Sequence, residues 1–393
     1  MDKVNIVITG RRNAGKSSVI NALLGQEKAI VSPIAGTTTD PVKKSYEIPG
    51  FASVIFTDTA GIDDEGQLGR QRIEKSLQTI RLSDTAILVF TGNDFGTQEE
   101  KLIEEFKKYE IPFFIVHNKS DLSPLVPGLR QELENRYKVQ VIDFSAHRSD
   151  PQLLLDALKT VVHAPQHRSL IGSLVRPGDI VMLVTPIDSE APVGRMILPQ
   201  VQMIRDVLDN KCINIVLQPD EITGFLNNTN ISPSLVITDS QVFGKVVQLI
   251  PASIPLTSFS IVLAHHKGNF EHYLSGTTQI DRLRDDDRIL MLESCSHHVS
   301  CEDIGRVKIP ALLRKHTGKQ LEFDFIAGLD EIKRPVTDYA LIIQCGGCMI
   351  TARQLRNRLR PAIDAGIPVS NYGMTIAWVQ GIFQRTTSPF KNK

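Results

Sequence analysis

The 393-residue chain has no net charge to offer a partner, because 44 Lys and Arg balance 44 Asp and Glu. Without a bulk field of either sign, nothing draws it to nucleic acid or to anionic lipid. It also lacks any apolar run long enough to cross a bilayer. Where a signal peptide would stand, Met1-Asp2-Lys3-Val4 leads straight into a strand-like stretch. These absences predict a cytoplasmic protein with neither a nucleic-acid nor a membrane partner. Aromatic residues are sparse at 6%, with one Trp, yet the hydrophobic fraction of 41% suffices for cores throughout. The length exceeds what one ordinary core organises, so two or three domains are expected. Cysteine is scarce too: five thiols cannot all pair, and in a reducing compartment their clustering argues for metal binding over disulfides.

The fold class read from the pattern is α/β, an N-terminal domain with a mostly parallel sheet followed by two further α/β domains. Apolar runs at Val4 to Thr9, Ser53 to Thr57, Thr85 to Thr91, Phe113 to His117 and Val139 to Phe144 alternate with helical patterns. Runs of this kind suit strands buried on both faces by crossover helices. A polar, Pro-containing stretch from His163 to Ser169 reads as a linker. The domains are therefore placed at 1–165, 175–265 and 266–393. In the second, strands are expected at Asp179 to Val184, Cys212 to Leu217, Ser234 to Thr238 and Ser258 to Leu263, with helices at Val201 to Leu208 and Ser240 to Leu249. Its shortage of paired titratable groups favours a structural or oligomerisation role over an active site. The third opens on a helix-like Gly268 to Leu283, and its strand-like runs Arg288 to Glu293 and Tyr339 to Ile343 each lead into a cysteine.

The first strand runs into Gly10-Arg11-Arg12-Asn13-Ala14-Gly15-Lys16-Ser17-Ser18, a complete G-x-x-x-x-G-K-[ST] loop opening a helix. In such a loop backbone N–H groups cradle phosphate, Lys16 neutralises the β and γ oxygens, and the Ser17 hydroxyl ligands Mg²⁺. Asp58-Thr59-Ala60-Gly61 ends a later strand run, so Asp58 can hold Mg²⁺ through water and the Gly61 N–H can sense a γ-phosphate. Asn118-Lys119-Ser120-Asp121 follows another strand, and the Asp121 carboxylate can take two hydrogen bonds from guanine that adenine does not offer. Ser145-Ala146 supplies the backbone contact to guanine O6. The substrate class is GTP.

These residues resemble the small GTPases of the Era/TrmE-like branch. Ile34-Ala35-Gly36-Thr37-Thr38-Thr39-Asp40 is similar to that branch's first switch, which assigns a second Mg²⁺ ligand to Thr38. Asn13 stands where members of the branch bind K⁺, so the resemblance implies K⁺-stimulated hydrolysis with Asn13, Lys16, Thr38 and Gly61 at the reacting phosphates. The tRNA-modifying members place a catalytic Glu beyond the second switch, near Gly69 here, and the acidic run Asp63-Asp64-Glu65 reads as a solvated surface. No general base is assigned.

The far end carries Cys295-Ser296-His297 and Cys345-Gly346-Gly347-Cys348. Three cysteines and one different ligand describe either a structural Cys₃His zinc site or a 4Fe-4S cluster. Zinc sites use short local knuckles, whereas His297 and Cys345 lie 48 positions apart (345 minus 297), which favours the cluster. With the GTPase motifs, this pattern resembles the HydF family of FeFe-hydrogenase maturation GTPases. The resemblance implies cluster ligation by Cys295, Cys345 and Cys348 with a variable fourth ligand. Many members carry a His just before the C-x-x-C where this chain has Gln344, leaving His297, His298, Asp303 or water. It further implies a scaffold for a transient diiron precursor, a homodimer through the middle domain, and as partners two radical-SAM maturases and the apo FeFe hydrogenase. The alternative is a redox-gated or zinc-containing GTPase associated with ribosome or tRNA. Cys301, Cys212, Trp378 and Phe383 read most simply as packing residues, and His265-His266 as a domain junction.

Overall fold

The computed structural model describes residues 3–25, 32–34, 42–48, 52–61, 66–162, 169–187, 194, 196–294 and 303–391. The chain divides into two compact units, Met1–Gln166 and His167–Lys393.

The first unit runs β1 (Val4–Thr9), α1 (Lys16–Leu24), β2 (Ser32–Ile34), β3 (Val42–Ile48), β4 (Ala52–Asp58), α2 (Gly66–Arg81) and β5 (Thr85–Thr91). It continues α3 (Thr97–Lys108), β6 (Phe113–Asn118), α4 (Pro127–Tyr137), β7 (Val141–Asp143) and α5 (Gln152–Val161). Its sheet has the order β2-β3-β4-β1-β5-β6-β7. β1 pairs parallel to β4 and β5, and β5, β6 and β7 continue in parallel. The expected central strands are present because helices cover both faces and every residue of β6 is buried. The antiparallel pairs β2–β3 and β3–β4 are additions. In β3, among the residues whose burial is described, Tyr46 and Ile48 reach the core, so that segment shows alternation and not a continuous apolar run.

The second unit contains two sheets. The first is built from β8 (Ile180–Val184), α6 (Leu198–Asp209), β9 (Ile213–Leu217), α7 (Ile222–Asn228), β10 (Leu235–Thr238), α8 (Phe243–Leu249) and β11 (Leu256–Ser258). Its strands are parallel in the order β11-β10-β8-β9. After α9 (Phe259–Lys267) and α10 (Phe270–Thr277) come β12 (Arg288–Leu292), α11 (Ile309–Thr317), β13 (Glu322–Ile326), β14 (Leu341–Gln344), α12 (Ala352–Asp364), β15 (Val369–Asn371), α13 (Tyr372–Val379) and α14 (Phe383–Thr387). This second sheet is parallel in the order β13-β12-β14-β15. The chain leaves β12 for β13 on one side and then returns to β14 on the other. The C-terminal ends of β12 and β14 therefore flank a topological switch point, the crevice where open α/β sheets bind ligands.

One expected strand is a helix. The run Ser258 to Leu263 folds as α9, begun by the Ser258 side chain accepting from the Ile261 N–H. Phe259 and Val262 enter the core under the first of these sheets, while Ile261 and Ala264 enter the core under the second. A helix buried on opposite sides loses its polar stripe and its apolar run resembles a buried strand. His265 thus sits in a helical last turn, its ring 4.9 Å from Phe270 and 4.7 Å from Phe390. Cys212 is buried in the first of these cores.

Candidate functional site

The loop between β1 and α1 is held by backbone shape and by the loop after β6. Gly10 has φ 146°, and a Cβ there would lie 2.0 Å from the Val89 carbonyl oxygen, so only glycine permits this approach. The Asn118 side-chain amide donates to the Ala14 and Gly15 carbonyls at 3.0 and 3.5 Å. The Lys119 ammonium donates to the Asn13 carbonyl at 2.7 Å. Buried Lys16 lies back across the loop, donating to the Gly10 and Arg11 carbonyls at 3.1 and 2.7 Å. Ser17 and Ser18 are exposed at the start of α1, and Gly61 is buried just past β4. Ser145 donates to the Asp121 carboxylate at 2.7 Å, a bond that leads the causes holding the Asp121 carboxyl below its ordinary range. Ala146 packs beside the α1 and α5 core. The structure therefore gathers the residues of four sequence-separated loops along the C-terminal edge of one sheet. Thr38 lies outside the described residues.

Ser17 donates its hydroxyl to Asp58 Oδ2, while Asp58 Oδ1 is buried with no partner among the described residues. An orphaned carboxylate oxygen beside a Ser hydroxyl fits a hard divalent cation held partly through water. Burial pushes the Asp58 carboxyl up, against the opposing pull of Ser17, Lys16 and Lys44. A carboxyl raised above its unfolded value costs stability once pH exceeds both values. We expect Asp58→Asn to raise the melting temperature of nucleotide-free, Mg²⁺-free protein at neutral pH, with the gain shrinking as pH falls through the carboxylate range. Melting curves across pH check this; a variant less stable at neutral pH contradicts it.

One contact at this loop has no counterpart in the sequence reading. Arg11 pairs with Asp94 and, at 2.7 Å, with Glu99, whose side chain is fully buried. Glu99 also accepts from the Gly96 N–H at 3.0 Å, closing the first turn of α3. The only sequence signal was the spacing of Gly96 and Glu99 at a helix start.

At the other site, Cys345 follows β14 directly, and its N–H donates to the Leu292 carbonyl at the end of β12. The Ser294 N–H donates to the Cys345 sulfur at 3.1 Å, and the Gln344 amide approaches it at 3.5 Å. Burial pushes the Cys345 thiol up, opposed by the Ser294 hydroxyl and the Gly347 N–H. Gly347 takes φ 71°, and its would-be Cβ lies 2.6 Å from Leu355, so the turn to half-buried Cys348 requires glycine. From α9, buried Lys267 donates to the Gly347 and Ile350 carbonyls at 3.2 and 3.0 Å. Among the described residues, Gln344 Oε1 and the Tyr273 hydroxyl find no hydrogen-bond partner despite being buried. Asp303 is occupied as a helix cap, accepting from the Arg306 N–H at 2.7 Å. Cys295, His297, His298 and Cys301 lie outside the described residues. Among the described residues no three His, Cys, Asp or Glu side chains gather as a metal-binding group. Also among these, no helix is long and apolar enough to cross a membrane.

Known families divide the chain along its length. Residues 5–119 match the 50S ribosome-binding GTPase family, 170–268 the hydrogen maturase F dimerization domain and 271–389 the hydrogen maturase F tetramerization domain. The chain belongs to the hydrogen maturase F family. In this family frame its first unit is a GTPase domain, and the two following domains are named for oligomerization. The expected cluster-binding region thus coincides with a segment described by assembly. Within the GTPase portion, the chain is 38% identical over 146 residues to tRNA modification GTPase MnmE of Endomicrobium trichonymphae, covering 35% of this chain and 31% of that one. It is 36% identical over 141 residues to GTPase Der of Wolinella succinogenes, covering 35% and 30%. The chain spans about a third of the length of the curated relatives it matches. Among solved structures, Aquifex aeolicus Era bound to GDP.AlF4- is similar at 20% identity, covering 64% of this chain and 99% of that one with a TM-score of 0.35. The G domain of the T. maritima FeoB iron transporter matches at 20% identity over 42% and 99%, TM-score 0.33.

Proposed function

We propose that this chain is a GTP-hydrolysing scaffold for FeFe-hydrogenase maturation, which carries a 4Fe-4S cluster and delivers a diiron precursor to the apo-hydrogenase. The observation that carries the reading is the Cys345–Cys348 turn at the switch point of a parallel sheet, in a chain whose first domain is a GTPase. In this reading, residues Gly10 to Ser18 cradle the phosphates and Lys16 neutralises them. Ser17, Thr38 and Asp58 serve Mg²⁺, and the Gly61 N–H meets the γ-phosphate. Asn118, Lys119, Asp121, Ser145 and Ala146 surround guanine. Asn13, exposed on the loop with φ 59°, is the proposed K⁺ ligand beside the phosphates.

Cys345 and Cys348 hold the cluster together with Cys295, and His297 is the proposed fourth ligand. The donor set fits: soft thiolates, N–H groups on sulfur and two orphaned buried polar atoms surround the turn. Bound there, the cluster supplies an iron–sulfur anchor for the diiron cargo. The cargo's suppliers are two radical-SAM maturases, acting on a cytoplasmic homodimer without nucleic acid or membrane.

Base choice is the first test. Asp121→Asn weakens GTP binding by roughly tenfold or more through loss of a charge-assisted pair and moves preference toward xanthine nucleotides. Unaltered GTP affinity removes the guanine assignment. For the monovalent cation, exchange of Na⁺ for K⁺ accelerates hydrolysis by the native chain and leaves Asn13→Ala unchanged; equal native rates in both salts contradict that role.

Dimerisation has a surface to account for it. β9 is one of the two edge strands of its sheet, with Ile213 and Val216 54% and 42% exposed, and neighbouring α6 exposes Val201 and Leu208 at 49% and 57%. An apolar edge strand is a pairing template. Ile213→Lys with Val216→Glu is expected to give a monomer by light scattering that still hydrolyses GTP. A dimer of undiminished stability places the interface elsewhere.

A further inference from the structure

Arg358, on α12, is 7% exposed. Its guanidinium donates to the Glu293 carbonyl at 2.8 Å and to the Ile326 carbonyl at 3.2 Å. These carbonyls lie just past β12 and at the last residue of β13, so the side chain reaches under the strand ends that border the cysteine crevice. Its Nε–H is buried without an acceptor among the described residues. The carboxylate of Glu293, the nearest in sequence to the crevice, is taken by Arg306 at 2.8 Å. Among the described residues Arg358 thus has carbonyl partners and no carboxylate in ion-pair contact. A buried guanidinium kept charged without a counter-anion is costly. The Glu293–Ser294 peptide that it clamps donates its N–H to the Cys345 sulfur at 3.1 Å, and the anionic forms of Cys345, Tyr372, Asp330 and Glu293 favour the charged guanidinium against burial.

We propose that Arg358 is the fixed counter-cation of the Cys345–Cys348 site, holding the anionic charge of the cysteine-ligated cluster and setting its reduction potential. This rests on the cluster reading above. Three thiolates outweigh the positive charge of either core state, so the unit is anionic and one-electron reduction makes it more so. A cation held nearby in a low dielectric stabilises the reduced state and raises the potential. Carbonyl clamping fixes the guanidinium where it cannot follow the charge into solvent. Arg358 is therefore a positioning and electrostatic residue and not a ligand.

The test is an EPR-monitored redox titration of anaerobically prepared full-length protein, with iron and sulfide content measured alongside. The wild-type titration comes first, and absence of iron there overturns the cluster reading itself. With iron present, Arg358→Gln and Arg358→Met should each lower the midpoint potential. The expected effect is about a tenfold lower ratio of reduced to oxidised cluster at fixed potential, or about 59 mV for one electron. Arg358→Lys keeps the charge and should return most of that shift. If both neutral variants lose iron while Arg358→Lys retains it, dependence on charge is likewise supported. Equal potentials in all variants, or loss of iron from the lysine variant as from the neutral ones, would overturn the inference and leave Arg358 a strand-end clamp.

Discussion

Lys16→Ala loses GTP turnover by about a hundredfold or more, the cost of removing one preorganised donor from a phosphoryl-transfer site. The magnitude follows from where the ammonium lies. It is buried and donates to the carbonyls of Gly10 and Arg11, inside the loop that is to wrap the phosphates. Its charge is thus stored at the site before nucleotide arrives. The methylene stem and the loop conformation cost little to replace, since Gly10 and the Asn118 and Lys119 bonds fix the loop independently. Phosphate release measures turnover, and circular dichroism checks the fold. The iron content of the variant should equal that of the native chain, because the cysteine turn belongs to the other compact unit. A variant that turns over at the native rate contradicts the assignment of this loop.

The second large effect is at sulfur. Ser in place of Cys345 or Cys348 exchanges a soft thiolate for a poor hydroxyl donor, so each variant should lose its iron or keep an unstable remnant. Ser in place of Cys295 should do the same. Activation of apo-hydrogenase is lost with any of the three, while GTP hydrolysis continues. His297→Ala behaves differently: three thiolates retain the cluster, the fourth position takes water, and the EPR signal changes shape. A triple-cysteine variant that still activates the apo-hydrogenase contradicts the scaffold role.

Residues adjacent in sequence were the ones most readily read. The parallel strands β1, β5 and β6 appear as apolar runs because they are buried on both faces, and each hands the chain to a motif loop whose glycines and polar residues are local signals. Strands that cover only part of a face were harder. β13 is an edge strand with its first residue exposed, and β15 has three residues, too short for periodicity to register. α9 misled in the opposite sense, since two cores share it and no polar stripe remains.

The site divides along the same line. Cys345 and Cys348 announce themselves by spacing, but the groups that hold their turn come from afar. Lys267 stands 80 residues before Gly347, and Arg358 reaches a carbonyl 65 residues away. Tyr273, fully buried, has its phenol pushed up by burial and then by the Cys345 charge. Nothing in the local sequence of α9, α10 or α12 marks these side chains. They meet the cysteines only because the strand order brings β12 and β14 together and lays the helices across their ends. The pairing of Arg11 with Glu99 is of the same kind, an 88-residue separation closed by sheet topology.

Metal and acid-labile sulfide analysis with EPR on anaerobically purified full-length protein decides whether the cysteine turn holds an iron–sulfur cluster. About four iron and four sulfide per chain are expected, with a 4Fe-4S signal on reduction that Cys345→Ser abolishes. One zinc per chain and no iron under the same anaerobic conditions would contradict the cluster reading.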